Sequence, residues 1–222
     1  MILNVGARTD IVNYYGDWLL ERFREGYVYT RNPLFPNRVT NYTLSPDKVD
    51  AVLFCSKNYA PMLDKLSAIT DHYRTYFHYT ITAYGKDVEP NVPDLPTSVQ
   101  TLKALSRLVG REKLAWRYDP VLLTPAYSVR RHLETFEILC GELAPYVSRC
   151  IFSFVEMYAK LQHNMPELIP LTKAQKDELA KGFAAIAAKY RIPIQTCSTR
   201  DTFPQYGIAA TGCVTLDVLG KA

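Results

Sequence analysis

Short apolar runs alternate with longer amphipathic segments along most of this 222-residue sequence, and this alternation limits the folds open to it. The runs at 51–54, 76–82, 114–118 and 150–155 have the length and the β-branched or aromatic content of buried strands. Between them, apolar residues recur three and four positions apart, as on one face of a helix. Strands that alternate with helices in this way favour parallel pairing through right-handed crossovers, so the sequence predicts an α/β fold.

Local signals mark several helix ends. Thr97 with Gln100, and Thr172 with Gln175, have the spacing of a capping box, in which two side chains satisfy free backbone donors at a helix start. Gly26 follows an apolar helical pattern and is placed as its C-terminal stop. We therefore expect helices to begin after Thr97 and Thr172, and one to end at Gly26.

Three features favour a closed barrel over an open doubly wound sheet. Polar residues follow the strand ends repeatedly, no Gly-rich dinucleotide-binding fingerprint is present, and no break separates two nucleotide-binding halves. Because the chain is shorter than the roughly 250 residues of an eight-fold barrel, we expect one (β/α) TIM-barrel-like domain over 1–222, partial or truncated. Segments 27–30 and 39–44, separated by turn-forming Asn and Pro residues, predict an N-terminal β-hairpin insertion.

Composition narrows the range of partners. The 26 basic and 22 acidic residues give a charge of +4, too evenly scattered to support nucleic-acid binding. No apolar run approaches membrane-spanning length and the start of the chain lacks the order of a secretion signal, so we expect a cytoplasmic protein without a membrane partner. The five cysteines are widely spaced, as is typical of thiols in a reducing compartment.

Polar side chains cluster after the predicted strands. In a parallel barrel the carboxyl ends of the strands meet at one rim, so such side chains can act on one substrate. The residues at these positions are Arg8, Thr9, Asp10, Lys57, Asn58, Thr82, Tyr84, Arg117, Tyr118, Asp119, Ser153, Glu156 and Cys197.

These candidates have structural alternatives. Arg8 with Asp10, and Arg117 with Asp119, either bind the polar parts of a ligand or form ion pairs that brace the rim. Lys57 is either a catalytic amine with a perturbed pKa or a solvated, salt-bridged lysine. The sequence leaves both pairs of interpretations open.

The cysteines divide into two groups. Cys140 lies on the apolar face of a predicted helix and Cys150 opens a strand, so both are expected to be core thiols. Cys197 and Cys213 are flanked by polar or Gly-containing segments and could face the rim, where two thiols make at most half a metal site. Ser153 lacks the Gly-x-Ser-x-Gly setting of a hydrolase nucleophile.

An ordered series of motifs extends over essentially the whole chain. They are Arg8-Thr9-Asp10-Ile11, Tyr15-Gly16-Asp17-Trp18, Arg24-Glu25-Gly26-Tyr27, Arg31-Asn32-Pro33, Leu44-Ser45-Pro46, Lys57-Asn58, Thr82-x-Tyr84-Gly85, Glu89-Pro90-Asn91-Val92-Pro93, Trp116-Arg117-Tyr118-Asp119-Pro120, Ser153-Phe154 and Tyr206-Gly207-Ile208. With these motifs the sequence resembles the domain-of-unknown-function 1848 family.

The resemblance implies a radical-SAM-like TIM barrel in a bacterial cytoplasmic protein. It also implies an iron–sulfur cluster and S-adenosylmethionine as cofactors, with Cys197 and Cys213 as auxiliary cluster ligands. Family members continue beyond the position of Cys213 into a cysteine-rich tail, whereas this sequence ends at Ala222. Two further departures are Cys55, where the family has tryptophan, and Ala7, where it has arginine.

The leading hypothesis is therefore a radical-SAM-like barrel protein acting on an unidentified small molecule or macromolecule, with the difficult chemistry supplied by the cofactors. One alternative is a cluster-free binding or interaction module. Another is a metal-independent barrel enzyme on a phosphorylated or carboxylated metabolite, with Lys57 or Asp119 as acid or base. The residues expected to hold substrate or cofactor are Arg8, Asp10, Lys57, Asn58, Arg117 and Asp119.

Overall fold

A computed structural model of the chain describes residues 1–6, 8–82, 84–197 and 201–220. The strands are β1 (Ile2–Val5), β2 (Tyr27–Arg31), β3 (Val39–Thr43), β4 (Ala51–Ser56), β5 (Thr75–Thr80), β6 (Leu114–Val121), β7 (Arg149–Phe154), β8 (Ile194–Cys197) and β9 (Ala209–Thr211). The helices are α1 (Ile11–Tyr14), α2 (Gly16–Glu25), α3 (Ser67–Thr70), α4 (Leu95–Val109), α5 (Val129–Leu143), α6 (Ala159–Asn164), α7 (Lys173–Lys189) and α8 (Leu216–Gly220). None of these described helices is long and apolar enough to cross a membrane.

Two of the three predicted helix ends are confirmed. Thr172 and Gln175 form the reciprocal capping box at the start of α7, and α2 ends at Gly26 with a φ of 77°. The predicted capping box at Thr97 is wrong. The side chain of Asp94 caps α4 instead, accepting a hydrogen bond from the Thr97 amide at 2.9 Å. The helix therefore begins at Leu95, which places Thr97 inside its first turn rather than at the cap.

Seven strands form one parallel sheet in the order β1-β4-β5-β6-β7-β8-β9. The order follows the chain without reversing, as it would in a barrel. Among the described residues, however, β1 pairs only with β4 and β9 only with β8, so the sheet is open and the predicted TIM barrel is not confirmed. A sheet closes into a barrel only when its first and last strands pair, and the spacing of apolar runs along a sequence does not predict this pairing.

The two faces of the sheet have different coverings. One face packs against the helices and carries large buried side chains such as Phe54, Phe77 and Trp116. The opposite face, called here the inner face, carries Ala51, Leu53, Tyr76, Ala115 and Ile151 and is partly covered by Leu219 of α8. Because side chains alternate along a strand, the inner face continues toward the carboxyl edge through the list Cys55, His78, Arg117, Ser153 and Cys197.

The remaining two strands, β2 and β3, form a separate antiparallel hairpin between α2 and β4. Its pairs run from Tyr27 opposite Thr43 to Arg31 opposite Val39, which confirms the predicted N-terminal hairpin. The base of the hairpin is fixed to the body by a 2.7 Å hydrogen bond from the Leu44 amide to the Gly26 carbonyl.

Candidate functional site

The carboxyl edge of the sheet brings Asp10 and the segment after β4 together. The turn after β1 passes so close to β4 that a Cβ on Gly6, whose φ is 105°, would lie 2.7 Å from the Cys55 carbonyl oxygen. Beyond this turn, the Ser56 hydroxyl lies 2.8 Å from each carboxylate oxygen of Asp10, and the Lys57 amide donates to the same carboxylate at 3.2 Å. Asp10 therefore ties β1 to β4, and its acceptors are already used within the protein.

Asn58 and Arg8 also have partners inside the protein. The Asn58 amide donates to Asn13 Oδ1 at 2.8 Å and its carbonyl oxygen accepts from the Ala60 backbone at 3.1 Å. The Arg8 guanidinium donates to the Arg31 carbonyl at 2.7 Å, at the hairpin, and forms no ion pair with Asp10 among the described residues. The structure thus places Arg8 away from the other candidates. Ala7, one of the two positions at which the sequence was predicted to depart from the family, lies outside the described residues.

Arg117 and Asp119, at the end of β6, form an ion pair on the inner face with side chains only 15% and 18% exposed. Arg117 Nε donates to Asp119 Oδ2 at 3.1 Å and Nη2 contacts the same oxygen, while the Ser153 hydroxyl donates to Oδ1. Burial lowers the pKa of Arg117, but the adjacent carboxylate of Asp119 raises it overall, so the guanidinium stays charged. The structure thus contains the predicted Arg117–Asp119 ion pair, and ligand binding by these two residues stays a prediction.

A thiol pair lies beside this ion pair. Arg117 Nη2 is 3.5 Å from the Cys197 sulfur, and the thiol of Cys213 lies next to that of Cys197. The interaction between the two thiols lowers the pKa of Cys213 and raises that of Cys197, and the Arg117 charge favours the thiolate of both. Cys55 lies nearby with its sulfur 3.6 Å from His78 Nδ1, and burial raises its pKa to about 11. The predicted core thiols Cys140 and Cys150 are confirmed, since both are fully buried.

Lys57 forms an ion pair with Glu89, a residue that sequence reasoning did not place in the site. The second carboxylate oxygen of Glu89 accepts from the Thr82 hydroxyl at 3.0 Å. Glu89 belongs to the Pro-rich loop after β5, and Tyr127 anchors this loop by donating to Asp87 at 2.7 Å. The signal available in the sequence was the Glu-Pro motif of that loop, which follows a strand at the carboxyl edge.

Lys57 and Glu89 line a cavity of about 580 Å³ at the carboxyl edge of the sheet. Its polar lining consists of Lys57, Glu89, Ser153, Glu156, Tyr158 and Tyr84. The Tyr84 hydroxyl donates to the Pro120 carbonyl and accepts from the Leu122 amide. The other wall is apolar and is made by Val88, Pro120, Leu122, Phe154, Val155, Leu161 and Met165. The charged lining side chains are one cation and two carboxylates, so the cavity is not a simple anion site.

Comparison with known proteins identifies the family of this chain. The sequence matches the family described as domain of unknown function (DUF1848) over residues 2–222. The chain belongs to the DUF1848 family. No curated protein matches it. A putative alpha-L-fucosidase from Bacteroides thetaiotaomicron VPI-5482 is similar in structure, with 11% sequence identity, a TM-score of 0.40 and coverage of 99% of this chain and 79% of that one.

This DUF1848 protein does not supply a complete iron–sulfur site from its described residues. Cys197 and Cys213 are two thiols, whereas cubane clusters use three or four cysteine ligands. No group of three or more His, Cys, Asp or Glu side chains in the described ranges is arranged to hold a metal ion. We therefore derive no reaction step through a cluster.

Proposed function

We propose that this DUF1848 protein binds a small organic molecule in the carboxyl-edge cavity, and that the molecule has a zwitterionic polar end and an apolar or aromatic body. The observation that carries the proposal is the meeting of the Lys57–Glu89 ion pair with an apolar wall in one cavity of about 580 Å³. Cavities of this size, with a few polar groups at one end, are typical small-molecule sites.

The charge of the lining favours a zwitterion over a simple anion. Lys57 is the one cation that lines the cavity among the described residues, and Glu89 and Glu156 are its carboxylates. A ligand carboxylate would replace Glu89 as the partner of Lys57, and a ligand ammonium would satisfy the released Glu89 and Glu156. A ligand with only a negative charge would leave two carboxylates facing it without compensation.

S-Adenosylmethionine, the cofactor implied by the family resemblance, belongs to this chemical class. Its methionine end carries an ammonium and a carboxylate, which match Glu89 and Lys57. Its adenine ring could pack on the apolar wall that contains Phe154, Leu161 and Met165. Ser153 supplies a hydroxyl at the inner end of the cavity, held by its hydrogen bond to Asp119.

Isothermal titration with S-adenosylmethionine and S-adenosylhomocysteine tests the proposal. We expect both to bind, and we expect Lys57→Met to weaken binding roughly tenfold to a hundredfold, the value of a charge-assisted hydrogen bond. Lys65→Met is the matched control, because Lys65 is also paired with a carboxylate and is 39% exposed against 35% for Lys57. Absence of binding by the parent chain, or equal losses in the two variants, would contradict the proposal.

The second candidate is a radical-SAM-like protein in which Cys197 and Cys213 contribute two ligands to an iron–sulfur cluster completed by ligands outside the described residues. The observation in its favour is the contact between these two thiols beside Arg117, because the guanidinium stabilises thiolate, the form that binds metals.

Anaerobic reconstitution with ferrous iron and sulfide separates the two candidates. The reconstitution includes an added dithiol, which fills the iron positions that two cysteines leave open. If the chain contributes cluster ligands, the parent protein should then retain iron and acid-labile sulfide, and Cys197→Ser or Cys213→Ser should lower both. Cys140→Ser is the matched control, since this buried thiol lies away from the inner face. A parent protein that binds S-adenosylmethionine and retains no more iron than the Cys197→Ser variant would reject the cluster and leave the binding function intact.

A further inference from the structure

The hairpin of β2 and β3 projects from the body with both of its faces exposed. Every residue from 29 to 43 is exposed to solvent. Two-stranded hairpins of this kind gain little stability from their own contacts, because neither face is buried. The apolar side chains along this one still include Tyr29, Val39 and Tyr42, which are among the exposed large hydrophobic residues of the described chain.

The tip of the hairpin presents two exposed apolar side chains, one of which, Leu34, is the most exposed large hydrophobic residue among those described. Leu34 is 82% exposed and Phe35 is 54% exposed. Hydrogen bonds within the turn hold them outward: Leu34 N donates to Asn32 Oδ1 at 2.9 Å, and Arg38 N donates to the Phe35 carbonyl at 2.8 Å. The tip is therefore already arranged for contact, so little conformational entropy is lost when it binds.

Positive charge surrounds this tip. Arg31 and Arg38 flank it, the Arg38 guanidinium lies 5.1 Å from the centre of the Phe35 ring, and Arg8 is bonded to the Arg31 carbonyl. No acidic residue occurs between 26 and 46. From the tip toward the base, the order is thus an aliphatic and aromatic end, a collar of arginines, and then the tyrosines Tyr29 and Tyr42.

We propose that this hairpin docks the protein on an anionic lipid surface, with Leu34 and Phe35 entering the headgroup boundary and the arginines binding lipid phosphates. Apolar side chains ahead of a basic collar are the arrangement by which peripheral segments combine hydrophobic burial with attraction to anionic lipids. Tyrosines suit the adjacent interfacial layer, because they have an apolar ring and a polar hydroxyl. The lack of a membrane-spanning helix among the described residues concerns insertion through a bilayer, not binding to its surface.

Other occupants fit less well. A second copy of the chain would bring two arginine collars together, which like-charge repulsion disfavours. Single-stranded nucleic acid would use the arginines and the exposed aromatic rings, but it would leave the aliphatic Leu34, the most exposed side chain of the tip, without an apolar partner.

Co-sedimentation with vesicles of phosphatidylcholine alone, and of phosphatidylcholine with an equal part of phosphatidylglycerol, tests the proposal. We expect binding to the anionic vesicles that weakens as salt is raised. Arg31→Gln with Arg38→Gln should lower the partition constant about thirtyfold, from a factor of about five for each arginine. Leu34→Ser with Phe35→Ser should lower it at least roughly tenfold through lost apolar burial.

Ile138→Ser is the matched control, because Ile138 is 64% exposed on α5 and lies outside the hairpin. Far-UV circular dichroism of each variant confirms that the body is folded. A Phe35→Trp reporter should show a blue shift of its emission with anionic vesicles only. Equal binding to both vesicle types, undiminished binding by the Leu34→Ser/Phe35→Ser variant, or tighter binding to a thymidine oligonucleotide than to vesicles would overturn the proposal.

Discussion

Asp119→Ala is expected to destabilise the protein by about 3 kcal/mol, because it leaves the largely buried Arg117 guanidinium without its counter-charge. The same change removes the acceptor of the Ser153 hydroxyl, so one further polar group loses its partner. The measurement is the free energy of unfolding in urea at neutral pH, compared with that of the parent chain.

The double variant Arg117→Met/Asp119→Leu shows whether the loss comes from the unpaired charge. Replacing a buried ion pair by apolar side chains of similar size is often neutral, so the double variant should be more stable than Asp119→Ala. The loss of unfolding free energy in the double variant is compared with the losses in Arg117→Met and Asp119→Leu, each measured alone. If it equals the sum of the two single losses, the two side chains stabilise the sheet independently.

The stability of the protein is expected to fall by about 3 kcal/mol between pH 7 and pH 4 because of His78 alone. Burial lowers the pKa of His78 to about 3, and the charges of Arg117 and Arg149 on the same face contribute. The imidazole Nε2 is buried without a close hydrogen-bond partner among the described residues, and Nδ1 faces the Cys55 sulfur at 3.6 Å. The backbone of Cys213 favours the imidazolium, but burial and the two arginine charges outweigh this contribution.

Stability falls toward acid pH because the pKa of His78 is lower in the folded chain than in the unfolded chain. The unfolded chain binds a proton at His78 as the pH falls below about 6.5, whereas the folded chain stays neutral there until about pH 3. Stability is thus fully present above the unfolded pKa and is lost as the pH falls through this window. Urea unfolding at several pH values should give a smaller loss for His78→Gln than for the parent.

His72→Gln is the control for this experiment, because His72 is exposed on the surface after α3. It should keep the pH dependence of the parent chain. His132 is also fully buried with a pKa lowered by burial, so the parent will retain some slope even after His78 is replaced. Identical slopes for the parent and His78→Gln would show that folding does not lower the pKa of His78.

Local patterns in the sequence predicted those elements that depend on neighbouring residues. The capping box at Thr172, the stop at Gly26 and the hairpin each depend on a few adjacent residues, and all three are confirmed. The N-cap of α4 was assigned to the wrong residue. Asp94 and Thr97 are both residue types favoured at an N-cap, and only the backbone geometry decides which of them starts the helix. Strand β9 was not predicted, since three residues are too few to give a period.

The part of the candidate site that lies directly at strand ends could be predicted from the sequence. Parallel pairing alone brings Lys57, Arg117 and Ser153 toward one edge, so strand ends were sufficient to find them. Glu89 reaches the carboxyl edge of the sheet through a long loop whose path depends on contacts with the segment after β6. Contacts of this kind produce no periodic pattern in the sequence, so they could not be predicted from it. Arg8 follows a strand as the others do, but its side chain turns to the hairpin.

The strand order of the sheet also bears on how the chain folds during synthesis. Each strand from β5 to β9 pairs with the strand that precedes it along the chain, so its partner has already been synthesised when it leaves the ribosome. The exception is β1, which pairs with β4 across the whole hairpin, with Ile2 opposite Ala51. Because this pair closes the longest loop between neighbouring strands of the parallel sheet, we expect β1 to join the sheet more slowly than the strands that follow it.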